Sequence, residues 1–335
     1  MSHFSVCVVI PNTYTFRTID EDNIDKAAYQ LLAAYEENTD NPRFLEFMDE
    51  SKSASTEYLT KKTQVVRSSD GSLIPTYSHL FYDKYVVRDN IILERFSNED
   101  GGDRETEKSR SLTLIQDYPF SSLYSFEQYC EEYCGYRQDS DGRWGYYCNP
   151  RATWDWYSIG GRFPGELLVR EDTKEALRLP KEQDKKAEHP NGYRWVNGAR
   201  MKDIVWEKMH ELKDTDTREA YDRLSEAFRL QDDSKLGVLA KITDDGIAGW
   251  GNMLYIKGES LDEFMARRGA TKDDTHPLNV FAFVDSEGEW HASGDMGWFG
   301  MASNEKPERT WHDELKALTK AIDPDDFVVI IDCHI

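Results

Sequence analysis

FVVIIDCHI, residues 327–335, ends the chain in a run of phenylalanine and β-branched side chains that reads as a strand. Its counterpart is FSVCVVI, Phe4 to Ile10, which is apolar at successive positions and stops at Pro11-Asn12. Apolar side chains on both faces are the pattern of a strand buried inside a sheet. Two such strands, one near each end of the sequence, belong in a single sheet. The fold class predicted is therefore α+β, with a central mixed or antiparallel sheet that contains both terminal strands, is flanked by helices and carries surface insertions.

Working inward, Ile24, Ala27, Ala28, Leu31, Leu32 and Tyr35 recur at helical spacing and predict a helix over Asp22 to Tyr35, its apolar stripe on the sheet. Tyr85 to Phe96 reads as one or two strands, Leu167 to Arg170 as another, and Val280–Val284 with Glu289–Ala292 as a hairpin. Leu261 to Arg268, capped by Ser260 and closed by Gly269, and Trp311 to Ile322 read as helices. Three stretches read as excursions from one domain spanning 1–335. They are the charged 97–110 loop, the proline-bounded 171–190 segment and a helical 203–232 segment broken into two helices at Lys213–Thr217.

Composition narrows the function. The chain has 335 residues, 39% of them hydrophobic, and a formal net charge of -22. Such a field repels phosphates over most of the surface, so broad duplex nucleic-acid binding is not expected. A local cationic pocket, or an acidic surface offered to a basic partner, survives the charge. No apolar run of about 18 residues marks a membrane span. The start Met1-Ser2-His3-Phe4 carries no charged leader, and 5 cysteines, an odd number, suit a reduced compartment, so a cytoplasmic protein is expected.

The chemistry concentrates in NPRATWDWYSIGGR, Asn149 to Arg162. Read as extended, its alternation puts Trp154, Trp156 and Ser158 on one face, and Asp155, Tyr157 and Ile159 on the other. Arg162 beside the Gly160-Gly161 bend and an aromatic wall suits a phosphate, a carboxylate or a flat ring. The competing reading makes the indoles core anchors and pairs Arg162 with Asp155. In the last strand Asp332 and His334 share a face, as acid/base partners or as metal ligands, or with His334 merely bonded to backbone. His3 meets His334 if the terminal strands are antiparallel neighbours. With His291 added, His3, His291, Asp332 and His334 would form a divalent-metal site. Trp298, among the glycines of GDMGWFGM, would stack on a planar ligand or plug the core. No GxGxxG, Walker loop, HExxH or nucleophile elbow occurs, and Cys130, Cys134 and Cys148 lack zinc-knuckle spacing.

Several blocks taken together, His3–Val6, Tyr35–Asn38, Phe44–Asp49, Cys134–Tyr136, Asn149–Phe163, Gly288–Met301 and Asp332–Ile335, resemble a family of uncharacterised phage, prophage and mobile-element proteins. The chain departs from that pattern at Arg151-Ala152-Thr153, where a lysine usually precedes the first tryptophan. The resemblance implies a compact protein of the bacterial host cytoplasm and carries no catalytic role. Two functions follow. One is an enzyme handling a small anionic or nucleotide-like ligand, with Trp154, Asp155, Trp156, Ser158, Arg162 and Trp298 binding and Asp332, His334 and His291 catalysing. The other is an acidic binding protein that inhibits a basic host defence or nucleic-acid-processing protein.

Overall fold

A computed structural model describes residues 2–97, 103–108, 112–237, 239–249, 253–268, 276–297 and 300–335. They sort into two compact units: Met1–Asp40 with Asn149–Ile335, and Asn41–Cys148. The sequence reading expects one domain and small excursions; the second unit is instead a single long stretch of chain set between two parts of the first. Among the described residues no helix is long and apolar enough to cross a membrane.

The first unit is built on a mixed, eight-stranded sheet. Its path runs from Leu167–Arg170 through Tyr193–Arg200, Phe327–His334, His3–Ile10 and Ala282–Val284 to Trp290–Ala292. The terminal strands are central and antiparallel, in register from His3 opposite His334 to Ile10 opposite Phe327. The pairing of His3–Ile10 with Ala282–Val284 is parallel. Both terminal strands are buried along nearly their whole length, which is why neither shows polar alternation. Phe4, Val6, Val8, Val329 and Ile331 face a helix over Glu21–Leu32, whose Ile24, Ala28 and Leu32 complete that core. Cys7, Val9, Val328 and Ile330 face the other way, onto Trp311 and Leu315 of a helix over Glu308–Ala321. Each such aliphatic side chain contributes roughly 1.5–3 kcal/mol by leaving water.

Two strands share one edge of Phe327–His334. Tyr193–Arg200 pairs with its first residues, Gly198 opposite Val329, and Trp156–Ile159 pairs with its last, Trp156 opposite His334. That division brings the aromatic stretch to the end of the sheet where both terminal strands carry histidine.

The excursions depart from expectation. Of the 97–110 segment, 98–102 and 109–110 lie outside the described residues, but Asp103–Lys108 is a strand paired with Ile91–Ser97. Within 171–190, Ala176–Arg178 joins the main sheet, because Ala176 and Leu177 have core to bury. Trp206–Leu230 is one unbroken helix of 25 residues. Asp216 and Thr217 cap nothing: Thr217 Oγ1 donates to the Lys213 carbonyl at 2.7 Å, and Asp214 pairs with Arg218. Packing of Met209 at one end and of Leu224 and Ala227 at the other holds the polar middle helical.

The second unit carries three small antiparallel sheets. Its tightest hairpin turns at Asp89 and Asn90, both with positive φ, a turn that matches strand twist. Ala54, Phe120, Tyr129, Cys130 and Trp144 form its larger core.

Candidate functional site

The terminal register brings His3 and His334 together, their ring centroids 5.0 Å apart and their planes at 74°. Each imidazole is held by a carboxylate. His3 Nδ1 lies 3.0 Å from Asp332 Oδ1 and 3.1 Å from Oδ2, and His334 Nδ1 lies 2.6 Å from Asp155 Oδ1. An ionised carboxylate only accepts hydrogen bonds, so in both pairs Nδ1 is the protonated nitrogen and Nε2 is left for other work. His334 Nε2 is buried and has no hydrogen-bond partner among the described residues. A buried polar atom without a protein partner costs free energy, a condition that His312 Nδ1 shares. His3 is the more accessible ring, its side chain 11% exposed against 5% for His334.

Asp332 is 1% exposed and owes its position to the glycine bend. Gly160 and Gly161 both have positive φ, and a Cβ on Gly161 would stand 2.4 Å from Asp332 Oδ2 and 2.6 Å from Ser158 Oγ. Only glycine lets the backbone close over the carboxylate there. The closure aims the Arg162 N–H at Asp332 Oδ2, 2.9 Å away. Asp332 therefore accepts from an imidazole and a backbone amide together.

Trp156 covers His334. Their rings stack at 5.0 Å and 20°, and Trp156 meets His3 in a T-shaped contact at 5.4 Å while remaining 45% exposed. Trp154 is not its companion. The strand begins only at Trp156, so alternation does not extend back, and Trp154 turns into the opposite core, where it is 2% exposed, donates to the Leu32 carbonyl and packs edge-on against Tyr157. The same break sends Asp155 to His334, away from the Tyr157 face. The core-anchor reading thus holds for Trp154 and fails for Trp156. Arg162 does not pair with Asp155, and its exposed side chain has no ion pair among the described residues.

His291 stands apart from this group. Its strand is three places along the sheet from Phe327–His334, about 14 Å of lateral spacing. There its Nε2 meets Asp285 Oδ2 at 3.2 Å and its Nδ1 lies 3.7 Å from Glu314. Burial pushes the Asp285 carboxyl up, but the amides of Glu289 and Glu287 and the His291 side chain outweigh it and hold the pKa below the usual range. The four-ligand metal site is therefore not assembled, and His291 leaves the catalytic set. Among the described residues no three His, Cys, Asp or Glu side chains converge as metal ligands. Trp298 lies outside the described residues; its neighbours Gly297 and Gly300 are tied to Ser2 Oγ, which donates to the Gly297 carbonyl and accepts from the Gly300 amide.

No family model, curated protein or solved structure matches the chain. The geometry alone therefore carries the functional reading. Sequence analysis places Asp332, His334, Asp155, Trp156, Ser158 and Arg162 near the site, and His3 through its conditional pairing. It misses Gly161 as the wedge over Asp332 and Asp155 as the holder of His334. The first signal was present in Gly160-Gly161; the second needed the register of Trp156 against His334.

Proposed function

We propose that the protein is an enzyme acting on a small anionic or nucleotide-like ligand, with His3 and His334 as an acid–base pair. The observation that carries this reading is the contact of two imidazoles across the terminal strands, each fixed at Nδ1 by its own aspartate. In the neutral form each Nε2 offers a lone pair, and in the cationic form each offers a proton. Two adjacent groups of that kind let one nitrogen take a proton from a reacting atom while the other delivers one. Asp332 and Asp155 position the rings and stabilise whichever imidazole becomes charged. Trp156, exposed and stacked on His334, offers a face for a planar ligand, and Arg162, whose backbone amide binds Asp332, carries an exposed guanidinium without an ion pair among the described residues, a partner for an anion.

The second reading, an acidic inhibitor of a basic host protein, rests on the charge of -22 and on the mobile-element resemblance, and no particular arrangement of residues adds to it. The test of the first is turnover of a panel of nucleotides and phosphate or carboxylate esters, comparing the wild type with His3→Gln and His334→Gln. Each change is expected to lower the rate by about 10²–10⁴, the usual contribution of one general acid or base. Turnover in both variants equal to that of the wild type, or no turnover of any panel member by the wild type, contradicts the proposal.

A further inference from the structure

Away from the paired histidines, the first unit contains a cavity of about 650 Å³ between the sheet end at Gly165 and Glu166, the long helix, and Leu236, Ala240, Leu254 and Phe264. One helix face lines it. Met209, Leu212, Lys213, Asp216, Thr217, Ala220, Arg223 and Leu224 recur at the three- and four-residue spacing of a single stripe. Lys213, Asp216 and Thr217, three of the polar residues that suggest a helix break from sequence, are thus turned to the cavity. Trp195 and Phe264 add aromatic wall.

Several charged groups gather in this cavity. Glu166, Lys213, Asp216, Arg223 and Arg268 all line it, and none forms an ion pair among the described residues. Elsewhere in the same unit Arg151, Arg200, Arg218, Arg229 and Arg267 each have a carboxylate within reach. Lys213 spends one donor on the His276 carbonyl at 3.3 Å, and an ammonium has three. Arg268 gives one N–H to the Leu254 carbonyl and lies over the Phe264 ring at 5.3 Å. Burial lowers the Lys213 pKa and raises that of Glu166, so both feel a water-poor environment. Lys213, unpaired and partly buried in such a place, keeps much of its attraction for an anion, and Arg223 and Arg268 line the same cavity from exposed positions.

We propose that this cavity is a second ligand site, separate from the histidine pair, which takes a small amphipathic anion: its carboxylate, sulfonate or phosphate on Lys213, Arg223 and Arg268, and its apolar or planar body against Trp195, Leu212 and Phe264. Three cations against Asp216 and a half-buried Glu166 make it a cation-rich point in a chain of net charge -22. The volume falls in the range of small-molecule sites, roughly 300–1,000 Å³. The site does not depend on the acid–base reading and stands or falls separately from it.

The experiment compares two fluorescent probes of similar shape on the full chain: 8-anilinonaphthalene-1-sulfonate, which is anionic, and N-phenyl-1-naphthylamine, which is not. The sulfonate is expected to bind one-to-one and about tenfold or more tighter than the amine, the worth of one charge-assisted hydrogen bond. Lys213→Met and Arg268→Met, each with an unchanged melting profile, should weaken the sulfonate by about five- to tenfold and leave the amine unchanged. Equal affinity for the two probes, binding without a one-to-one limit, or sulfonate affinity unchanged in both variants overturns the proposal. If one variant fails to fold, the other and the probe comparison still decide it.

Discussion

His3 and His334 stand directly opposite each other on antiparallel central strands, with centroids 5.0 Å apart, and each is held at Nδ1 by a different aspartate. The sheet's own register makes the pair, so its integrity is coupled to the core.

Asp332→Asn tests that coupling. The aspartate accepts from His3 and from the Arg162 amide, whereas an asparagine must turn its NH₂ toward one of those donors. A loss of about 1–3 kcal/mol in urea-unfolding stability is expected. A change within about 0.5 kcal/mol, the usual effect at an ordinary surface position, would show that the carboxylate is not held as described.

Gly161→Ala addresses the wedge. With φ of +46° and a new Cβ 2.4 Å from Asp332, it should cost more than about 2 kcal/mol and disturb His3 as well. Gly192→Ala is the matched control, since its φ is +78° but nothing lies within 4 Å; it should cost only the backbone strain, about 1 kcal/mol. Equal losses at the two positions would remove the close approach to Asp332 from the account.

Arg218→Pro separates one helix from two. Inside the unbroken Trp206–Leu230 helix a proline should cost about 3 kcal/mol and lower the helical circular dichroism. Were Thr217 an N-cap, the same proline would fall at the first helical position and be tolerated.

His276 supplies a pH dependence. Burial first, then the neighbouring His210, and more weakly His312 and Lys213, lower its pKa to about 3, and its Nδ1 accepts the Leu278 N–H, a bond only the unprotonated nitrogen can make. Between about pH 6.5 and 3 the unfolded chain therefore binds a proton there that the folded chain does not. Its contribution to stability is present above about pH 6.5 and is lost as the pH falls toward 3, with a slope of at most about 1.4 kcal/mol per pH unit. His276→Asn keeps an acceptor for Leu278 without the titration, so it should flatten the acid limb of the stability curve. An unchanged slope would show that His276 is not buried neutral.

The legibility of the chain follows the reach of its interactions. Phe327–His334 and His3–Ile10 are readable because burial on both faces leaves an uninterrupted apolar run, and the Glu21–Leu32 helix because one stripe meets the sheet. The face of Trp154 is misread because alternation holds only within a strand, and that strand starts two residues later. Lys213–Thr217 looks like a break because three of its polar residues, Lys213, Asp216 and Thr217, line a cavity that no local pattern reveals. His291 is grouped wrongly because strand order, which sets three strands' separation, is not written in the strands themselves.

The tautomers of His3 and His334 test the central claim most directly. Long-range proton–nitrogen correlation spectra of histidine-labelled protein, assigned with His3→Gln and His334→Gln, report which ring nitrogen carries the hydrogen in each neutral imidazole. Both rings should be protonated at Nδ1 with Nε2 bare, and Asp155→Ala should release that preference at His334 while leaving His3 as it was. A neutral Nε2–H form at either ring in the wild type would mean that its Nδ1 does not donate to the aspartate, and the paired acid–base centre would not exist as described.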